Sequence, residues 1–167
     1  KMILATISSF AGHAAPETRL VFKIHPLDRG HSTHAKLIRS IATLHKVLDR
    51  IDIIDTGSLG LLVRHSAGML TINSTSGLSA IAHAIPLLVL GEAIYSNTPF
   101  AYSASRKEDI HSFWESTYIP DKSMCHRYIA WLRENCLMPG DFYDNDGILT
   151  AVDGVIEKIR AITPTNV

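Results

Sequence analysis

Four short hydrophobic runs recur in the first ninety residues, separated by segments with a helical pattern. They are residues 20–24 (LVFKI), 51–54 (IDII), 68–72 (GMLTI) and 87–90 (LLVL). The last two lack polar alternation, which is typical of parallel strands covered on both faces. Strands that alternate with helices favour βαβ units. The pattern therefore predicts an α/β fold built on a doubly wound parallel sheet of about four core strands.

The segments between these runs predict helices. One has an apolar stripe at i, i+4, i+7 and i+11, formed by Leu37, Ile41, Leu44 and Leu48, so we expect it to bury that stripe. Shorter helices are predicted at 58–67 and 76–84, each opened by a serine in a capping position. Residues 91–105 have the composition of a long loop.

Three further helices are predicted after that loop, at residues 107–118, 121–135 and 147–162. The last has the clearest apolar stripe, which comprises Ile148, Val152, Val155, Ile159 and Ile162. Amphipathic stripes of this kind face a core in globular proteins. These helices extend the chain beyond the predicted sheet.

Composition is typical of one ordinary globular domain. The chain has 167 residues, of which 46% are hydrophobic and 19% charged, which excludes a disordered chain. The 16 basic and 16 acidic residues balance, so nothing favours nucleic acid as a partner. No apolar run is long enough for a transmembrane helix, and two cysteines without zinc spacing fit a reducing compartment. Because the chain starts at Lys1 and its first strand comes early, we expect a fragment of a longer protein.

Unusual polar residues follow each predicted strand. These clusters are 25–30 (HPLDRG), 55–58 (DTGS), 73–77 (NSTSG) and 91–92 (GE). Ligands of open α/β sheets bind beyond the carboxyl ends of the strands. If the sheet is parallel, all four clusters lie along one edge, which predicts a binding site there.

The cluster that begins at Asn73 allows three interpretations. A helix that starts near Ser76 leaves its first N–H groups unpaired, and the hydroxyls of Ser74, Thr75 and Ser76 would complete a cradle for an anion. Gly77 would let the ligand approach the backbone. Alternatively, Ser74 or Ser76 only caps the helix. A serine nucleophile on a strand-to-helix elbow is the third interpretation, although residue 72 is Ile where that motif has Gly.

The cluster after the first strand contains His25, Pro26, Asp28 and Arg29. An imidazole at this edge can donate a hydrogen bond to a phosphate or protonate a leaving group. Arg29 could pair with phosphate oxygens, and Asp28 could orient His25 or Arg29. The alternative is an ordinary solvated turn.

Other motifs are weaker. His25, His31 and His34 lack a cysteine or well-placed carboxylate to complete a site, so no metal is predicted. Residues 144–146 resemble part of an EF-hand loop without its terminal glutamate, so helix capping explains them better. Neither a GxGxxG nor a P-loop motif occurs, which argues against a nicotinamide or P-loop enzyme.

Four motifs in order resemble the bacterial capsule polysaccharide biosynthesis family, which includes β-Kdo transferases. They are FKIHPLDRG at 22–30, INSTSGLSAIAHAIPLLVLGEAIY at 72–95, FW at 113–114 and GDFY at 140–143. The resemblance implies a GT-B glycosyltransferase, in which two Rossmann-like domains face each other. It implies that residues 1–167 form one Rossmann-like domain, the C-terminal half, which binds the donor nucleotide.

The resemblance also implies a donor, CMP-Kdo, and a lipid-linked acceptor, so that the product is the Kdo linker on a phospholipid that anchors the capsule; the acceptor would be a glycolipid or polysaccharide. His25 would contact the CMP phosphate and assist its departure, and Ser74, Thr75 and Ser76 would hold the same phosphate. The strand-end clusters supply the remaining predicted nucleotide-binding residues, which are Pro26, Asp28, Arg29, Asn73, Gly77 and Glu92. No other cofactor is required.

The chain departs from the family in two respects. Relatives tend to carry a Gly-Leu element after Ala-Ile-Tyr, where this chain has Ser-Asn-Thr-Pro-Phe after Tyr95. The catalytic carboxylate expected from an N-terminal domain lies outside the chain, so we expect donor binding with little transfer by this piece alone. The family implies a cytoplasmic protein at the inner face of the inner membrane, working with other capsule assembly proteins. The alternatives are a non-catalytic scaffold for capsule assembly or export, and a small α/β hydrolase that uses Ser74 or Ser76.

Overall fold

The structure is a computed structural model that describes residues 1–24, 33–104, 106–141 and 144–162. The helices are α1 (Met2–His13), α2 (His34–Leu44), α3 (Leu59–Arg64), α4 (Gly77–Ala82), α5 (Lys107–Glu115), α6 (Lys122–Asn135) and α7 (Asn145–Ile162). The strands are β1 (Leu20–Lys23), β2 (Ile51–Ile54), β3 (Met69–Thr71), β4 (Leu87–Val89) and β5 (Tyr102–Ser103). The chain divides into two compact units, Lys1–Cys125 and His126–Val167.

The strands are parallel, as the sequence predicted, but the described residues form two small sheets. β1 pairs with β2 so that Leu20 lies opposite Ile51. The second sheet has the order β3-β4-β5, with Thr71 opposite Val89 and Val89 opposite Ser103. All four predicted strands are confirmed to within two residues at either end. A single four-stranded core is not confirmed, and β5 was not predicted because two residues are too short for a hydrophobic pattern.

α1 completes the core around the first sheet. Its buried residues Ile7 and Phe10 pack with Leu20 of β1, Ile51 of β2 and Ile38 of α2. The guanidinium of Arg50 lies over the Phe10 ring, 4.4 Å from its centroid. This is a cation–π arrangement. α1 therefore supplies part of the core of the first unit, Lys1–Cys125.

A buried serine joins α1 to α5. Ser9 is fully buried, and its Oγ accepts a 2.9 Å hydrogen bond from the indole N–H of Trp114. The same oxygen lies 2.7 Å from Nδ1 of His111. Because the indole can only donate, the Ser9 hydroxyl keeps its hydrogen and a second lone pair, so it can donate to or accept from His111 Nδ1 according to the histidine tautomer. The three side chains therefore satisfy one another where the two helices pack.

The stripe predicted for α2 is confirmed only at Ile41, which packs partly buried against the core. α2 buries Ile38 and Ala42, whereas Leu44 is 74% exposed. The helix ends at Leu44, and the chain turns through Lys46 at φ 58°. Leu48 therefore lies beyond it, in a 3-10 turn at Leu48–Arg50. Ala42 is fully buried in the core cluster that contains Ile7 and Phe10 of α1, and this packing determines the buried face more than the spacing of the leucines does.

α7 is confirmed as a helix, but the part of its apolar stripe that the structure describes, Ile148 to Ile159, is exposed. Ile148 is 39% exposed and Ile159 is 54% exposed. Its start is capped as predicted, because Asp144 Oδ1 accepts a 2.8 Å hydrogen bond from the N–H of Gly147. In the second unit, Gly140 adopts φ +109° and packs against the backbone of α7 at Ala151. None of the helices in the described parts of the chain is both long and apolar enough to cross a membrane.

Replacing Ala84 with glycine is expected to raise the free energy of unfolding by about 0.5–1 kcal/mol. Ala84 follows α4 at φ 53°, and the N–H groups of Ala84 and Ile85 bond back to the carbonyls of Ile81 and Ala80. An L-residue is strained in this left-handed conformation, and glycine is not. Urea denaturation measures the change. The control is Ala82→Gly within the same helix, which we expect to lower stability; a loss in both variants would contradict the prediction.

Candidate functional site

The β3–α4 loop, residues 72–76, is held by its own hydroxyls. Ser74 Oγ accepts hydrogen bonds from the Ser76 N–H at 3.2 Å and the Ser76 hydroxyl at 2.8 Å. Since this oxygen already accepts two bonds, its own hydrogen points away from Ser76. Asn73, Ser74 and Thr75 are exposed. The loop therefore presents hydroxyl and amide groups to solvent at the carboxyl end of β3.

The backbone N–H groups at the start of α4 are already paired, contrary to expectation. The amides of Gly77, Leu78 and Ser79 donate to the carbonyls three residues earlier, each at 3.0 Å. These tight turn bonds replace the unpaired donors of a regular helix start. The N-cap residue of α4 is Ser76, whose side chain makes no capping bond, and Ser74 instead accepts the Ser76 N–H within the turn that precedes the helix. An anion at this loop would thus meet the side chains first.

Gly77 has a different role from the one expected. It is buried, and a Cβ at this position would lie 2.5 Å from Cζ of Tyr95. The Tyr95 ring is 1% exposed, and its hydroxyl donates to the carbonyl of Ser74. Gly77 therefore makes room for Tyr95 rather than for a ligand. Sequence reasoning did not identify Tyr95 as a site residue, because its contact spans about twenty residues.

The carboxyl ends of β3 and β4 lie side by side. The N–H of Leu90 donates to the Thr71 carbonyl at 2.8 Å, which continues the ladder past both strands. A Cβ on Gly91 would lie 2.9 Å from Ile72 Cγ2, so Gly91 permits close contact with the β3–α4 loop. Glu92 follows and is exposed. The structure thus brings the predicted clusters at 73–77 and 91–92 together.

The carboxyl ends of β1 and β2 form a second pair. The Lys23 ammonium donates to the Thr56 carbonyl at 3.2 Å. Gly57 adopts φ +87°, and Ser58 caps α3 by accepting from the N–H of Leu61 at 3.4 Å. The predicted residues of the cluster after β1 lie outside the described residues; they are His25, Pro26, Asp28 and Arg29. One continuous edge for all four clusters stays a prediction.

The clearest pKa shifts belong to structural groups. Hydrogen bonds from the Arg19 guanidinium hold the pKa of Asp52 below its usual range. Burial raises the pKa of the Cys125 thiol, which disfavours the thiolate and a nucleophilic role. Burial likewise raises the pKa of Tyr118. None of these groups lies in the β3–α4 loop.

Among the residues that the structure describes, the β3–α4 loop shows no arrangement of a serine hydrolase. Such an enzyme needs a base hydrogen-bonded to its serine. Within residues 33–104, the hydroxyls of Ser74 and Ser76 bond to each other and to no histidine. Across the described ranges, no three His, Cys, Asp or Glu side chains are grouped so that they could hold a metal ion.

The chain matches the sequence model of a family described as "Capsule polysaccharide biosynthesis protein" over residues 1–143. It is 35% identical over 142 residues to the capsule polysaccharide modification protein LipB of Neisseria meningitidis serogroups A and B, covering 84% of this chain and 33% of the relative. It is 34% identical over 124 residues to the capsule polysaccharide export protein KpsS of Escherichia coli, covering 74% of this chain and 31% of the relative. The chain thus spans about a third of the length of these curated relatives. Because the match extends over most of its residues, the chain belongs to the capsule polysaccharide biosynthesis protein family.

Proposed function

We propose that the chain is the donor-binding part of a capsule polysaccharide glycosyltransferase that transfers Kdo from CMP-Kdo to a lipid-linked acceptor. Family membership supports the capsule context. The observation that carries the site is the exposed hydroxyl loop at 73–76, which Tyr95 fastens at the carboxyl end of β3. Ligands of parallel α/β sheets bind at such ends.

In this proposal the side chains of the loop hold the CMP phosphate. The Ser74 hydrogen points away from its two donors, and Thr75 is exposed beside it, so both hydroxyls can donate to phosphate oxygens. Glu92 lies across the β3–β4 edge, where an exposed carboxylate can accept from a ribose hydroxyl or a base amine. These side chains, rather than backbone amides, would hold the phosphate because the first amides of α4 are already paired.

His25 is the residue we assign to the leaving group. When the bond from the sugar carbon to the phosphate oxygen breaks, its electron pair stays with CMP and negative charge grows there. A hydrogen bond from an imidazole stabilises that charge, and Arg29 would share it. Pro26 and Asp28 would fix their orientation, while Asn73 would contact the same phosphate. The acceptor hydroxyl would lose its proton to a base in a second domain. The reaction would take place on the cytoplasmic side of the inner membrane.

Titration with CMP tests the site. We expect saturable CMP binding by calorimetry, much weaker binding of UMP and AMP, and a loss of about tenfold or more in affinity for His25→Ala and for Ser74→Ala, as fits the removal of a hydrogen bond to a charged group. Ser66→Ala is the matched control, since it also removes a hydroxyl that bonds to the backbone, here to the Val63 carbonyl, but lies before β3 rather than after a strand. His65→Ala, at an exposed residue after α3, is the control for His25.

Two outcomes would contradict the proposal. One is equal affinity for the three nucleotides, and the other is an equal effect of Ser74→Ala and Ser66→Ala on CMP binding. A chain that binds no nucleotide would favour a non-catalytic module instead. The name of the E. coli relative, an export protein, gives that alternative its support.

A further inference from the structure

A pocket of about 220 Å³ lies between the second sheet and α5. Leu88 of β4 contributes to its wall from the sheet, and Tyr102 and Phe113 contribute two aromatic rings. The rings meet edge to face, with centroids 6.2 Å apart. Tyr102 is 37% exposed, so part of its surface is open to solvent. The pocket therefore combines aromatic surface with an opening.

Hydroxyl groups line the rest of this pocket. Ser112 donates its hydrogen to the Glu108 carbonyl at 3.0 Å, which leaves its lone pairs to accept a further bond. Ser103 Oγ accepts from the Asn97 N–H at 3.3 Å, so its own hydrogen can be donated. Ser116 also lines the pocket, and its hydroxyl lies 3.3 Å from the Tyr102 hydroxyl. Donors and acceptors thus surround a space with aromatic walls.

One carboxylate, Asp109, faces this pocket and is held in place. Its Oδ2 accepts the Arg106 N–H at 2.7 Å, and the Arg106 guanidinium lies 3.7 Å from Oδ1. Arg106 is not one of the lining residues, and the described lining residues include no cationic side chain. An anionic ligand would therefore meet the Asp109 carboxylate directly, whereas the Arg106 guanidinium that pairs with it lies outside the lining.

We propose that this pocket binds one ring of a neutral sugar. Aromatic rings have negatively charged faces that suit the C–H groups of a sugar ring. The hydroxyl groups of a neutral sugar can exchange hydrogen bonds with the serine hydroxyls and donate to the Asp109 carboxylate. The pocket volume fits a ligand of one ring rather than a nucleotide sugar. The site is separate from the β3–α4 loop, so the inference goes beyond the proposed donor site and does not depend on it.

NMR titration of the ¹⁵N-labelled chain tests the inference. The probes are the methyl glycosides of glucose, galactose, mannose and N-acetylglucosamine, with glucuronate as the anionic comparison and maltotriose as an oligosaccharide. We expect at least one neutral glycoside to shift amides of residues 102–116 with a dissociation constant of roughly millimolar order. Tighter binding of maltotriose than of methyl glucoside would assign the site to a glycan chain, and equal binding would assign it to a single sugar.

Two variants make the test specific. Ser112→Leu fills the pocket and should abolish the shifts, whereas Ser40→Leu makes the same change at an exposed residue of α2 and should leave them intact. Asp109→Asn keeps an oxygen for the Arg106 N–H but removes the charge, so glucuronate should gain affinity relative to the neutral glycosides. Three results would overturn the inference: no shifts with any neutral glycoside, equal binding of glucuronate by the unmodified chain, or unchanged binding in Ser112→Leu.

Discussion

Phe10→Ala is expected to lower the free energy of unfolding by about 3–5 kcal/mol. Phe10 is fully buried and packs in the core with Ile7, Leu20 and Ile38. Truncation to alanine removes the transfer free energy of the ring and leaves a cavity that the surrounding core fills only in part. The Trp114 ring, whose centroid lies 5.4 Å away, loses one of its two edge-to-face neighbours at the same time and keeps Phe113.

The same substitution also affects Arg50. Its guanidinium lies over the Phe10 ring and donates to the carbonyls of Ala15 and Thr18 at 2.6 and 3.0 Å. Without the ring, the guanidinium loses its cation–π contact but keeps these hydrogen bonds, so the loss should come mainly from packing. Guanidinium chloride unfolding measured by circular dichroism gives the change. Leu4→Ala is the control, because Leu4 belongs to α1 but is 48% exposed. A similar loss for both variants would mean that α1 contributes through helix formation rather than through the Phe10 contact.

The importance of α1 could not be predicted from residue preferences. The helix contains Thr6, Ser8 and Ser9, which are poorer helix formers than alanine or leucine. What stabilises it is burial, because Thr6 and Ser9 are themselves buried and Ser9 bonds to two residues of α5. Those partners lie a hundred residues away, beyond the reach of any local pattern. The strands were easier to predict from the sequence, since a continuous apolar run such as 87–90 indicates a buried strand without knowledge of its neighbours.

The candidate site was predictable to a similar degree. The position of the hydroxyl cluster after β3 followed from local sequence, and the adjacency of Gly91 followed from parallel pairing. The sequence did not predict that the amides at the start of α4 are paired, because this pairing depends on the tight turn that the chain makes through Ser74 and Thr75. Nor did it predict the contact between Gly77 and Tyr95. A glycine in a polar loop suggests ligand access, whereas here it accommodates a buried ring.

Gly77→Ala is expected to lower the free energy of unfolding by roughly 1–3 kcal/mol, the usual cost of overpacking a core. The added Cβ would lie 2.5 Å from Tyr95 Cζ and 3.0 Å from Cε2. Tyr95 is 1% exposed, so its ring has no open space into which to move. If it does move, its hydroxyl leaves the Ser74 carbonyl, and the β3–α4 loop loses the contact that fastens it.

Gly60→Ala is the matched control for this substitution. Gly60 lies in α3, and the nearest atom to an added Cβ is Ser58 Oγ at 3.9 Å. Alanine there should be neutral or should stabilise the helix by up to about 1 kcal/mol. Gly77→Ala and Gly60→Ala make the same chemical change near the start of a short helix. Their difference therefore measures the clash with Tyr95, apart from the general effect of alanine.

Tyr95→Leu completes a double-mutant cycle. Alone, it should destabilise the chain, because it shortens a buried side chain and removes the bond to the Ser74 carbonyl. In the Tyr95→Leu variant, however, adding Gly77→Ala should lower the free energy of unfolding only slightly, because leucine does not reach the position of Tyr95 Cζ. The two changes should therefore be strongly non-additive, as is expected for residues in contact. Additive losses would mean that the ring and the added methyl group do not compete for the same space, and the proposed role of Gly77 would be wrong.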